Sequence, residues 1–145
     1  MTAADLLRKE NSARLVKAIE TAEKNTSGEI RVHIESQCKS DPYLRAAYLF
    51  GKLDMFKTKD RNAILLYLAV NSRKFAIVGD SGINAKVGAE YWNEVKDQML
   101  SDFRSGDFLG GMEKAILSVG DKLKVFFPYQ KDDVDELSNE ISYGN

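Results

Sequence analysis

Residues 60–83, DRNAILLYLAVNSRKFAIVGDSGI, decide the fold, because they read as two apolar strands joined by a tight polar turn. The first arm, residues 63–70, is apolar at every position, the pattern of a strand covered on both faces rather than one with a wet side. Such a strand needs helices above and below it. Asn71, Ser72 and Arg73 interrupt the run, and Phe75, Ala76, Ile77 and Val78 resume it. The second arm ends in Gly79-Asp80-Ser81-Gly82, a turn-forming segment that carries a carboxylate, which makes Asp80 a first candidate for function.

At 145 residues the chain fits one domain and can bury a self-sufficient core. A net charge of -1 with interspersed Lys and Glu offers no basic stripe for a phosphate backbone, so nucleic acid is not an expected partner. The first residues, MTAADLLRKENSA, do not form a charged-then-apolar leader. No apolar run approaches the roughly 20 residues of a membrane span. No membrane insertion is expected, and the sequence reads as cytoplasmic. Cys38 is the single cysteine, which excludes an internal disulfide and a thiolate metal cluster and suits a reducing compartment.

Outward from the hairpin, Leu15, Val16, Ile19 and Ala22 recur at helical spacing within residues 11–24, and Asn25-Thr26-Ser27-Gly28 stops that helix. Residues 29–35 then alternate. Ile30, Val32 and Ile34 lie on one face and Arg31 and His33 on the other, which predicts a half-exposed strand, an edge of the sheet, with His33 facing solvent. Asp41-Pro42 is a helix start, and Leu44, Ala47 and Tyr48, with Leu49 and Leu53, supply the predicted buried face of the helix that follows. A strand–helix–strand unit of this length favours parallel pairing, so residues 30–34 should run parallel to 63–70 and the hairpin partner antiparallel. Two further helices carry Trp92, Val95, Met99 and Phe103, then Phe108, Met112, Ile116, Val119 and Leu123; Asp107 caps the second and Pro128 ends it. The expected architecture is α/β, a compact sandwich with a central mixed β-sheet flanked by helices on both faces. A single domain spans 1–128, and 129–145 read as a flexible acidic tail.

The strand directions bring polar residues together. Parallel strands one and two begin at the same end of the sheet and the antiparallel third strand ends there, so Glu29, Asp60, Arg61, Asn62, Asp80 and Asn84 could converge. Three carboxylates, an amide and close backbone approach at Gly79 and Gly82 suit a hard cation such as calcium, with Asp80, Glu29, Asp60 and Asn84 as its ligands and Arg61 and Asn62 as contacts to a bound anion. The competing and favoured reading is plainer: Asp, Asn and Gly are ordinary turn formers and solvated strand ends. Gly79-Asp80-Ser81-Gly82 also looks like a protease nucleophile turn. That reading fails, since His33 is the only histidine and the chain is not the all-β scaffold that such a triad needs. A Cys38–His33 pair is no better. No residue is therefore assigned a catalytic role, and any catalysis would have to be metal- or carboxylate-based.

Three segments, TSGEIRVHI (26–34), RNAILLYLAVNSRKFAIVGDSGI (61–83) and FRSGDFLGGMEKAI (103–116), in this order and spacing resemble the TPM domain family over nearly the whole chain up to Leu123. The resemblance implies a compact α/β sandwich with a central mixed sheet. It also implies a spread of roles, since the family includes a calcium-binding acid phosphatase of the thylakoid lumen, a photosystem-associated protein and a receptor-regulating membrane protein, while most bacterial members have no assigned activity. Many members carry a signal peptide, an Asp-containing segment ahead of the first helix, a membrane helix and a glycine-rich tail, none of which is expected here, and the usual Asn-Gly before the central strand is Asn62-Ala63. Loss of the early aspartate removes a candidate acidic ligand. The first functional expectation is thus a non-catalytic accessory domain with a protein partner, calcium binding being weak, with Kd of about 10⁻⁴–10⁻³ M, if it occurs. The alternative is a calcium-assisted phosphomonoesterase in which Asp80, Glu29 and Asp60 hold the ion and Arg61 steadies the phosphate. An ion-binding domain without turnover is the third.

Overall fold

The computed structural model describes residues 8–129 and 141–144. In chain order these form α1 (Lys9–Glu23), β1 (Glu29–Glu35), α2 (Pro42–Lys52), a 3-10 turn (Met55–Lys57), β2 (Ala63–Ala69), β3 (Lys74–Gly79), the short α3 (Ser81–Asn84), α4 (Ala89–Arg104), α5 (Phe108–Phe126) and β4 (Ser142–Tyr143). The fold is α/β with a four-stranded mixed sheet in the order β3-β2-β1-β4. β1 runs parallel to β2, with Glu29 opposite Ala63, and β2 antiparallel to β3, with Ile64 opposite Gly79.

Every side chain of β2 is buried, and they alternate between two cores. Ile64, Leu66 and Leu68 join Ile30, Val32, Ile34, Phe75 and Ile77 under α1, α4 and α5. Ala63, Leu65, Tyr67 and Ala69 join Ala76 and Val78 under α2. An apolar run with no polar member is what this two-sided burial requires. The helix starts follow their sequence signals: Asp41 accepts from the Tyr43 and Leu44 N–H groups with Pro42 in the first turn, and Asp107 accepts from Gly110 N–H. α1 and α5 pack so closely that a Cβ on Gly120 would sit 2.5 Å from the Ala22 Cβ.

Three expectations are corrected. β1 is interior rather than an edge, because β4 pairs parallel to it, with His33 opposite Ser142 and Ile34 opposite Tyr143. The expected flexible tail therefore does not hold for its last described residues: Ile141 is buried in the core and Gly144 N–H donates to Ile34 O at 2.8 Å, while 130–140 and 145 lie outside the described residues. Finally, α2 buries Ala46, Leu49 and Phe50, while Leu44, Ala47 and Tyr48 face outward. Both sets obey the three-and-four spacing, and only the apolar face of β2 and β3 selects between them. Among the described residues no helix is long and apolar enough to cross a membrane.

Candidate functional site

The shared sheet end exists. Glu29 N–H donates to Asn62 O at 3.4 Å and Asp80 N–H to Ala63 O at 3.0 Å, so the start of β1 and the end of β3 flank the residues that lead into β2. The chemistry there differs from a ligand set. The buried Asp80 carboxylate takes both arms of the Arg61 guanidinium, Nε and Nη2 each at 2.7 Å, and also accepts from Ser81 N–H as the cap of α3. Arg61 reaches it from a left-handed backbone, φ 50°. Its carbonyl in turn accepts from Gly82 and Ile83 N–H at 2.8 and 3.3 Å. Glycine is needed at 82, because a Cβ there would lie 2.0 Å from the Asp60 carbonyl oxygen.

The remaining expected ligands are similarly placed in structural roles or apart. The Asn84 amide donates to Gly79 O at 2.6 Å and accepts from Trp92 Nε1 at 2.9 Å. Asn62 is buried; its Nδ2 donates to Ser27 Oγ at 3.2 Å and its Oδ1 has no hydrogen-bond partner among the described residues. Asp60 is exposed and Glu29 buried. Among the described residues no group of three or more His, Cys, Asp or Glu side chains is placed to hold a metal ion. The set Asp80, Glu29, Asp60 and Asn84 thus does not fit a calcium ion as it stands, since an ion at Asp80 would have to displace Arg61 from a bidentate, charge-assisted pair.

The opposite end of the sheet carries a polar network not foreseen from the sequence. Glu35, at the end of β1, is buried and clamped by Arg45 of the crossover helix, Nη2 to Oε1 at 2.5 Å and Nε to Oε2 at 3.2 Å. Tyr67 of β2 donates its hydroxyl to Glu35 Oε2 at 2.5 Å. His33 is buried, not solvent-facing, and its ring stacks on Tyr67 with centroids 6.0 Å apart. His33 Nε2 lies 3.2 Å from Glu35 Oε1 at an angle too poor for a formed hydrogen bond, so this contact is electrostatic, while Nδ1 meets Ser142 Oγ of β4 at 2.8 Å. Burial alone would raise the Glu35 carboxyl; the hydrogen bonds from Arg45 and Tyr67, with the close contact of His33, outweigh it and hold it below the usual value. Burial lowers His33 despite the pull of Glu35. Both Glu35 oxygens are engaged, Oε1 by Arg45 and Oε2 by Arg45 and Tyr67. Tyr67 was the available sequence signal, since a buried phenol inside an apolar strand needs an acceptor.

A third feature lies along β3, which ends the sheet. A groove of about 410 Å³ runs beside this strand, walled by Pro42 and Tyr43 of α2 on one side and Trp92, Asn93 and Lys96 of α4 on the other, with Phe75 and Ile77 in its floor. Among the described residues it is lined by no histidine, cysteine or serine, and by one carboxylate, Asp41, which caps α2.

A family profile for the TPM domain matches residues 1–122. Among solved structures, the BA42 protein from the psychrophilic bacterium Bizionia argentinensis superposes with a TM-score of 0.87 at 42% identity, covering 94% of each chain. The N-terminal domain of a P. gingivalis protein gives a TM-score of 0.71 at 18% identity, over 86% of this chain and 82% of that one. The N-terminal domain of the cg2496 protein from Corynebacterium glutamicum gives 0.63 at 15%, over 80% and 73%. These last two show the fold alone. The comparison with curated proteins finds no match. With a profile match over most of its length and a close relative of the same shape, the chain belongs to the TPM domain family.

Proposed function

We propose that this chain is a non-catalytic TPM domain that acts by binding another protein. The observation that carries this reading is the groove beside β3, a concave surface walled by apolar and aromatic side chains, in which the carboxylate of Asp41 is engaged as the cap of α2. The acidic groups elsewhere support it. Asp80 is engaged by Arg61 and Ser81 N–H, and Glu35 by Arg45 and Tyr67, so each acts as a fastener of strand ends. The unforeseen network also ties β4 to β1 and so holds the sheet that positions the groove. The competing reading is a calcium-assisted phosphatase at the Asp80 end, and it requires Arg61 to leave Asp80 and turn to a phosphate. Initial rates of p-nitrophenyl phosphate hydrolysis by the purified chain, with and without calcium, separate the two. Our reading expects the buffer rate in both conditions; calcium-dependent release that disappears in Asp80→Asn would overturn it.

A further inference from the structure

The geometry points to strand addition: the groove beside β3 receives an extended peptide segment of another protein, with apolar and acidic residues in alternation, which pairs through its backbone with Phe75, Ile77 and Gly79. This deepens the binding role proposed above and rests on it.

The hydrogen-bond parity of the hairpin fixes which backbone groups face outward. Asp80 N–H donates to Ala63 O, and the register places Val78 opposite Leu65, Ala76 opposite Tyr67 and Lys74 opposite Ala69. Residues of an antiparallel pair alternate between bonding toward the partner and away from it. The even-numbered residues of β3 therefore bond to β2, and Phe75, Ile77 and Gly79 turn their N–H and C=O groups to the other side. Asn84 confirms the direction, since its Nδ2 reaches the Gly79 carbonyl from that side; it already engages that acceptor, so Gly79 offers an added strand its N–H, and Phe75 and Ile77 offer both groups. No strand lies there among the described residues, because β3 is terminal in the sheet. The edge from Phe75 to Gly79 is about 14 Å long, room for roughly five residues of an added strand.

An open edge is a liability that proteins usually blunt with charge, proline, a bulge or a cover. β3 has none of the first three between Phe75 and Gly79. What surrounds it is a slot. α2 and α4 pack on opposite faces of the sheet and both line the groove, so an added strand would meet a wall on each face. Its alternate side chains would meet different walls. On the α2 side they face Pro42 and the exposed ring of Tyr43, which suits apolar residues. On the α4 side they face Trp92 and Lys96, and Lys96 makes no ion pair among the described residues, which suits a carboxylate. Backbone pairing supplies affinity and the two walls supply the alternation.

The test selects a display library of random twelve-residue peptides against the immobilised chain and titrates an enriched peptide into the ¹⁵N-labelled protein. The expected peptides alternate apolar with Asp or Glu and shift the amides of Phe75, Ile77 and Gly79 together with the Trp92 indole. N-methylation at the alternate peptide positions that face β3 weakens binding by more than roughly tenfold, while methylation of the intervening set leaves it nearly unchanged. Lys96→Glu, at an exposed position, weakens binding roughly three- to tenfold without loss of fold. Enriched peptides that bind elsewhere, or that tolerate both methylation patterns, would overturn strand addition and leave the binding role standing. Failure to enrich any peptide, together with calcium-dependent phosphate release, would overturn both. Concentration-dependent shifts at Phe75 and Ile77 in protein alone would make a second copy the occupant and also overturn the proposal.

Discussion

Replacing Arg45 by Met tests whether the buried Glu35 carboxylate is held by its ion pair. Arg45 bonds both carboxylate oxygens, and the Glu35 side chain is 4% exposed against 37% for Arg45. Methionine keeps much of the aliphatic stem and removes only the fork of donors. Breaking a fully dry ion pair costs about 3–5 kcal/mol. Here the arginine side is partly wet and Tyr67 still donates to the carboxylate, so the expected loss is about 2–3 kcal/mol. For a chain of this length that lowers Tm by roughly 6–12 °C. The pH dependence is the sharper signature. Glu35 is held below its ordinary value in the folded state, so its contribution is present above the unfolded carboxylate value of about 4.3 and is lost as pH falls through the folded one. Without Arg45 the folded carboxyl takes up its proton at higher pH, and the gap between variant and wild type narrows on acidification. Urea unfolding followed by circular dichroism from neutral pH down to about pH 4 reads both quantities. A loss below about 0.5 kcal/mol, or one that stays constant across this range, would refute the reasoning.

Leu66→Ala and Leu68→Ala, at fully buried positions of the central strand, should each cost about 2–5 kcal/mol by urea unfolding. Gly120→Ala should destabilise by about 1–3 kcal/mol even though alanine is the better helix former, because its methyl would meet the Ala22 Cβ, Cα and carbonyl oxygen; a gain in Tm would show that α1 and α5 are not in that contact. Asp80→Asn removes a buried charge from a bidentate pair and should cost about 1–3 kcal/mol, where a repelling carboxylate cluster would instead be relieved by the change. His33 is depressed by burial, so folding stability should fall as pH drops below about 6.5, and His33→Gln should flatten that part of the profile as read by thermal melts.

What the sequence made legible follows from local chemistry. The hairpin, the caps at Asp41 and Asp107 and the parallel crossover all rest on periodicity and turn residues, and all are present. Strand direction alone was enough to bring Glu29, Asn62 and Asp80 to one end of the sheet. It could not tell how Asp80 would be used, since a ligand carboxylate and a salt-bridged cap need the same residue in the same turn. Arg31 and His33 alternate with apolar residues as a wet face would, yet His33 and Glu35 are buried. That burial depends on Arg45 and Tyr67, 10 and 32 residues beyond Glu35, and on Ser142, 109 residues beyond His33. Ser142-Tyr143 is too short to announce a strand, and α2 has two stripes of equal spacing. The groove was beyond reach for another reason: it is lined by residues of α2, β3 and α4 that are far apart in sequence, and no local pattern records their meeting.

The proposed binding role requires an open β3 edge, and amide hydrogen exchange of the free protein tests that edge most directly. The side chains of Phe75, Ala76, Ile77 and Val78 are all buried, so burial by itself predicts uniform protection along the strand. Backbone parity predicts alternation instead: slow exchange at Ala76 and Val78, whose N–H groups bond to β2, and fast exchange at Phe75 and Ile77, whose N–H groups face the groove. Equal, strong protection at all four amides would mean that the edge is already paired in the free protein, and the binding role built on it would fall.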